Sequence, residues 1–408
     1  MTFLYFAVLL FLPIISYLTF GIFNLRPAGL YFMIIASFIG IFHLFFRRKI
    51  FVTPILVFSF LWFGFYSIQG FLMLEKGTNT RILQSFTLVV LIFIIQNTKF
   101  TSKYIKFLIN IIGYTILIAM IVTIIQVFNF EFLNANYLWN QDKALTKGAL
   151  DIYNIRRNSI FGYIDPNELG LSFFPLLSVF IGHKLKNKDN RFLLLFVFAG
   201  GVIAFFSNTR YVMVAYIIVI LQVLVYRRTT MLATIKALLL IGFVSIALYF
   251  VIIEMGYDIG DWADQRLFRE GTFRESTRFL ALQNFLIFFP QNFLFGYGYL
   301  TNSLQIASNS IGSSQIHVGY LSALVYFGLV GCFFLFGLWF LLFKSLYKTA
   351  KATNYWGSFF AFLVFLWANL TLVMFSLFYY GILIAIVFDK YYKDSHVSLA
   401  VKKSNTDT

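Results

Sequence analysis

At 408 residues, with 60% hydrophobic and only 12% charged side chains and a mean hydropathy of +0.82, the chain holds more apolar surface than a soluble globule can bury, and lipid is the solvent this implies. A formal charge of +16 would suit a nucleic-acid binder only if the basic residues shared one soluble surface; they are scattered among short connections, so no nucleic-acid partner is expected. The single Cys332 excludes a disulfide framework and a thiolate metal site.

A helix needs about 20 mostly apolar residues to cross the hydrocarbon layer. In chain order such spans are expected near 3–23, 27–46, 50–74, 82–97, 104–128, 167–183, 192–207, 210–226, 231–254 and 316–343. The first has no basic residues ahead of it and too long an apolar run for a cleaved signal, so it is expected to stay. A last apolar stretch, Tyr355 to Asp389, is long enough for one long helix or two short ones turning near Asn369 to Thr371.

Charge decides between them. The connections after every second span, plus the tail, carry 20 of the 32 basic residues and only Asp189, Asp389, Asp394 and Asp407 among the acids, so the whole net charge sits on alternate loops. That is the positive-inside pattern for cytoplasmic N- and C-termini, and it requires an even number of spans. The expected fold is therefore all-α: a single integral membrane domain, 1–408, forming a polytopic transmembrane bundle of about twelve spans. A single helix at 355–389 would instead put the tail lysines outside.

The spans hold essentially no ionisable residue away from their ends, which argues against a proton relay or an ion-coupled transporter. The ionisable groups gather in two long outer loops, 129–166 and 255–315, and loops of that length usually carry function. Lysine and arginine are also sorted between the faces, with 15 Lys and 5 Arg inside but 3 Lys and 9 Arg outside. Insertion bias treats the two alike, whereas arginine suits bidentate contact with phosphate, so an outward-facing anion site is expected. The plainer reading is that these arginines pair with outer acids or reach to lipid head groups.

The candidates are Arg157 with its neighbour Arg156, both ahead of Asn167; Arg210 at the outer start of a helix; and Arg266, Arg269, Arg274 and Arg278 in the larger loop. Arg274 and Arg278, four apart, share one face of a helix whose following residues are apolar, an interfacial amphipathic segment ending at Pro290. His317 is the one histidine expected on the outer face, where a neutral imidazole suits a general base, although a lone histidine at a helix start is often a capping residue. Asp258, Asp261 and Asp264 match no calcium loop, and no dinucleotide or P-loop motif occurs. No metal and no cofactor is expected.

Four stretches on this outer face, in this order, carry a resemblance. They are RNSIFGYIDPNELGLSFFP from Arg157, SNTR ending at Arg210, RFLALQNFLIFFPQNFLFGYG from Arg278, and HVGYLSALVYFGLVG from His317. Over 150–345 the chain resembles the O-antigen polymerase and ligase superfamily of bacterial membrane proteins, with one departure: Val318 follows the histidine where the family pattern has Asn. The resemblance implies a polymerase in the bacterial inner membrane, serving O-antigen or capsule synthesis. It would transfer a polyprenyl diphosphate-linked oligosaccharide onto the next lipid-linked repeat unit at the outer face.

On that reading His317 is the base, Arg210 and Arg278 stabilise the diphosphate, and Arg157, Asn167, Arg266 and Arg274 are further substrate contacts. The transfer would be metal-independent and inverting. Membrane lipids, a chain-length regulator and a flippase would be its partners. The rivals are the superfamily's ligase or protein-directed oligosaccharyltransferase activity and, from another class, a flippase for the lipid-linked oligosaccharide.

Overall fold

The computed structural model describes residue 42 and residues 51–73, 78–128, 169–189, 191–207, 209–227, 277–298, 318–370 and 380–404. The described chain is helical, with no strand among the described residues. In chain order the helices are α1 Pro54–Met73, α2 Thr78–Asn97, α3 Ser102–Phe128, α4 Leu169–Lys186, α5 Leu193–Phe206, α6 Arg210–Arg227 and α7 Thr277–Phe288. A 3₁₀ turn at Phe289–Asn292 follows, then α8 Gly319–Thr353, α9 Gly357–Ala368 and α10 Tyr380–Ser404.

Three of these, over Pro54–Leu72, Ser102–Gln126 and Gly319–Thr353, are long and apolar enough to cross a membrane. The expected spans at 3–23, 27–46 apart from residue 42, and 231–254 lie outside the described residues, as do the loop 129–166 and the loop 255–315 except for 277–298. The final apolar stretch divides: α9 ends at Ala368 and the chain turns at Asn369 and Leu370.

The helices pack through small residues that let backbones approach, as association in lipid favours. A Cβ at Gly331 would strike Phe65, and one at Gly337 would strike Phe58, so α1 lies against α8 antiparallel to it. Trp62 adds an edge-on contact with Phe327, ring centroids 4.7 Å apart. The start of α1 meets the end of α2, where Asn97 accepts from the Phe51 amide at 2.6 Å and donates to the Phe51 carbonyl at 3.2 Å. Near the start of α9 the Ser178 hydroxyl lies 2.8 Å from Gln222 Oε1 and 2.9 Å from the Gly357 carbonyl, while Gln222 Nε2 donates to the Ser178 carbonyl at 3.1 Å. Three helices, α4, α6 and α9, meet there with their polar groups paired.

One end of the bundle carries the lysines. The Tyr392 hydroxyl and His183 Nδ1 are 2.8 Å apart, joining the end of α4 to α10, and the rings of Tyr355 and Tyr392 stack at 4.1 Å. Around these contacts lie the turn holding Lys186 and Lys188, the last turns of α8 with Lys348 and Lys351, and Lys393 on α10. Lys184 sits 2.6 Å from Asp189, and that bond holds the Asp189 carboxyl below its ordinary pKa.

The largest departure from regular geometry is inside α8. Its 35 residues break at Gly328, where φ is 60° and ψ −170°. The freed backbone groups are taken up by residues 293–298, which run antiparallel to 325–330. The amides of Tyr297 and Gly298 donate to the carbonyls of Val325 and Tyr326, and those of Leu329 and Val330 to the carbonyls of Phe293 and Leu294, all at 2.8–3.0 Å. Gly296, at φ 69°, packs directly on Gly328; a Cβ on either would run into the other's backbone. Gln69 of α1 completes the junction, its Nε2 donating to the carbonyls of Phe295 at 2.6 Å and Tyr326 at 2.8 Å.

Candidate functional site

Three of the residues expected from the sequence stand at or just before helix starts, Arg210 on α6, Arg278 on α7 and His317 two residues ahead of α8. The turn between α5 and α6 is fixed by its own polar residues. Ser207 Oγ donates to the Ala204 carbonyl at 2.7 Å and Thr209 Oγ1 to the Ser207 carbonyl at 2.8 Å, and the Thr209 carbonyl receives the first helical amides of α6. Arg210 is the first residue of that helix.

Two hydrogen bonds then tie the starts of α6 and α8 to one anchor, the last turn of α9. The indole of Trp367 donates to the Tyr211 carbonyl at 3.2 Å, and the phenol of Tyr320 donates to the Leu366 carbonyl at 2.8 Å. Tyr211 directly follows Arg210, and Tyr320 stands three residues after His317. Helix starts carry the positive end of the backbone dipole and uncommitted amides, so two of them drawn to a common anchor favour an anion.

The last turn of α7 packs on the first turns of α8. Phe288 and Val325 form a small buried cluster of their own, with Phe285, Phe289, Val318 and Leu321 packed against it. The helix that carries Arg278 as its second residue is therefore seated on the first turns of the helix that opens after His317. On α7 one apolar side, with Phe285 and Phe288, lies against α8, and another, Leu282, Leu286 and Ile287, is exposed.

The side chains of Arg210 and Arg278 are outside the described part of the structure, and so are Arg157, Asn167, Arg266, Arg274 and His317 entirely. What the structure brings together is the start of α6, which bears Arg210, and the first turn of α8, which follows His317, while the α7 contact with α8 lies at Phe285 and Phe288, seven and ten residues beyond Arg278 toward the far end of that helix. Among the described residues no three His, Cys, Asp or Glu side chains are grouped to hold a metal.

Sequence reasoning names Asn369 only as a turn position and does not single out Asn284. Asn369, the C-cap of α9, is fully buried; its Nδ2 donates to the Phe365 carbonyl at 3.0 Å while its Oδ1 has no partner among the described residues. Asn284, on the α8-facing side of α7, is 1% exposed, and neither of its amide atoms has a partner among the described residues. An Asn inside an apolar run was the available signal, since a polar group in such a place is costly unless something pairs with it. No protein-family model matches this chain, and no curated protein matches it either.

Proposed function

We propose that the chain is a polysaccharide polymerase of the bacterial inner membrane, with about twelve spans and both termini in the cytoplasm. It would transfer a glycan from a polyprenyl diphosphate carrier onto the next lipid-linked repeat unit at the outer face. The lysine-bearing end is then cytoplasmic, as positive-inside sorting requires, the start of α6 lies toward the opposite side, and the part of α8 before Gly328 folds back so that Tyr320 lies beside Phe336 and Trp339.

The observation that carries this reading is the shared anchor. Through Leu366 and Trp367, one helix end holds both the start of α6, which bears Arg210, and the start of α8, which follows His317. The proposed chemistry needs these two functions side by side. The acceptor hydroxyl oxygen attacks the anomeric carbon, its proton passes to the His317 imidazole, and the bond from that carbon to the diphosphate oxygen breaks. The departing lipid diphosphate gains negative charge, which Arg210, Arg278 and the helix starts stabilise without a metal. Arg157, Asn167, Arg266 and Arg274 are assigned to binding the phosphates and sugars of the two lipid-linked partners.

The test is complementation of a deletion strain with wild-type protein or with His317→Ala, reading glycan chain length. Wild type restores long chains, and the variant leaves acceptors with a single repeat unit at normal protein level in the membrane. Normal chain length in the variant refutes the assignment of the base. Bare acceptors with long glycan stranded on the carrier would indicate the ligase reaction instead. Chain growth by purified protein in detergent, where there is no membrane to cross, separates the enzyme from a flippase.

A further inference from the structure

Other buried amides in this bundle are committed at one end or both: Gln69 and Asn369 donate through their nitrogens while their oxygens stay unpaired among the described residues. Asn97 uses both ends of its carboxamide on Phe51 and Phe93, and Gln222 uses both ends of its own on Ser178. Asn284 is different, being 1% exposed with neither Oδ1 nor Nδ2 paired among the described residues. A buried amide with nothing to bond is worse for stability than an apolar side chain of the same size, and its neighbours Leu280, Leu282 and Leu286 show what this helix otherwise uses.

Its position points to a use. Asn284 stands one turn before Phe288 and shares its face, in the seam between α7 and α8. Arg278 lies six residues before it on the same helix, and α8 opens directly after His317 and Val318. Phe288 and Val325 are the buried apolar residues of this seam, a cluster separate from the main core, and the chain beyond α7 is tied to the break in α8 by the backbone bonds of 293–298.

The carboxamide also narrows the ligand. A phosphate would use its N–H donors and leave Oδ1 bare, and a cation would use Oδ1 and leave the donors bare. Neighbouring sugar hydroxyls, each able to donate and accept, satisfy both ends together. We propose that Asn284 is a saccharide-contacting residue, pairing with adjacent hydroxyls of the lipid-linked glycan in the seam between the last turns of α7 and the first turns of α8. This rests on the glycan-transfer reading given above.

The test compares Asn284→Leu with wild type, with Leu286→Ala on the exposed side of the same helix, and with His317→Ala. The deletion strain is complemented with each, thermal midpoints are measured on the purified proteins, and transfer is assayed on lipid-linked saccharide extracted from that strain. The expected result is a midpoint for Asn284→Leu equal to or above wild type together with a KM for the extracted saccharide raised about tenfold or more, while Leu286→Ala behaves as wild type. A stable Asn284→Leu with normal KM and chain length would overturn the proposal. So would a lowered midpoint, because the amide would then be structural. Loss of long chains in His317→Ala alone would overturn only the Asn284 assignment, whereas long chains made equally in the uncomplemented strain would overturn the functional reading and this assignment with it.

Discussion

The Tyr320 phenol donates to the Leu366 carbonyl at 2.8 Å, so the first turn of α8 hangs on the last turn of α9 across 46 residues of sequence. Tyr320→Phe removes that one bond and leaves the ring. The expected cost is about 1 kcal/mol of stability, read as a lower thermal midpoint in detergent. Transfer activity should fall further than stability, because the start of α8 is freed from its anchor.

Arg210 opens α6 immediately before Tyr211, whose carbonyl is held by Trp367. If its guanidinium stabilises a leaving diphosphate, Arg210→Ala should reduce transfer by on the order of 100-fold. Arg210→Lys should restore only a small part, since a point charge does not reproduce a bidentate fork. Full activity in the lysine variant would reduce the role to bulk charge.

At the break in α8, Gly328→Ala and Gly296→Ala each place a Cβ against backbone and impose a left-handed conformation on an L side chain. The conformational penalty alone is about 1–2 kcal/mol, and the contact adds to it. Poor yield and a broadened elution profile after detergent extraction are the expected result for both. Gly64→Ala is the control, since nothing lies within 4 Å of its Cβ position.

Gln69→Leu removes two donated hydrogen bonds and takes from the Phe295 carbonyl its Gln69 donor. The Tyr326 carbonyl keeps the Gly298 amide. The expected loss is about 1–3 kcal/mol, which thermal unfolding of the purified variant would measure against Tyr320→Phe.

The expected topology makes a labelling prediction. Cys332 is 3% exposed, so it should react slowly and leave introduced thiols readable. Lys188→Cys and Lys348→Cys should label with an impermeant maleimide only after the cell membrane is opened. Ser303→Cys, in the loop 255–315, should label in intact spheroplasts.

Helix positions were legible because apolar runs report them directly: α3, α5 and α6 lie within a few residues of the expected spans at 104–128, 192–207 and 210–226. Helix ends were less so. The tenth span was expected to stop at 343, yet α8 continues to Thr353, because backbone hydrogen bonding does not end where hydropathy does, and Lys344, Lys348 and Lys351 extend the helix toward the lysine-rich end. The break at Gly328 was invisible, since FGLVG reads as five more apolar residues and the partners that permit the break, Phe293 to Gly298, come about thirty residues earlier. The meeting of α6 and α8 at α9 was equally hidden, because nothing local to Tyr320 or Trp367 names a distant carbonyl. Arg210 and His317 could be nominated by residue type and face, whereas Asn284 becomes conspicuous only once its neighbours are known to offer it nothing.

The interrupted α8 also bears on how the protein is made. Four backbone bonds at the break come from the earlier segment 293–298 rather than from the helix itself. In lipid each of those groups would otherwise stand bare, at a cost of several kcal/mol apiece. The segment from Phe293 to Gly298 and the two parts of α8 are therefore expected to settle as one cooperative piece. Amide exchange should protect Tyr297, Gly298, Leu329 and Val330 together, as a single block.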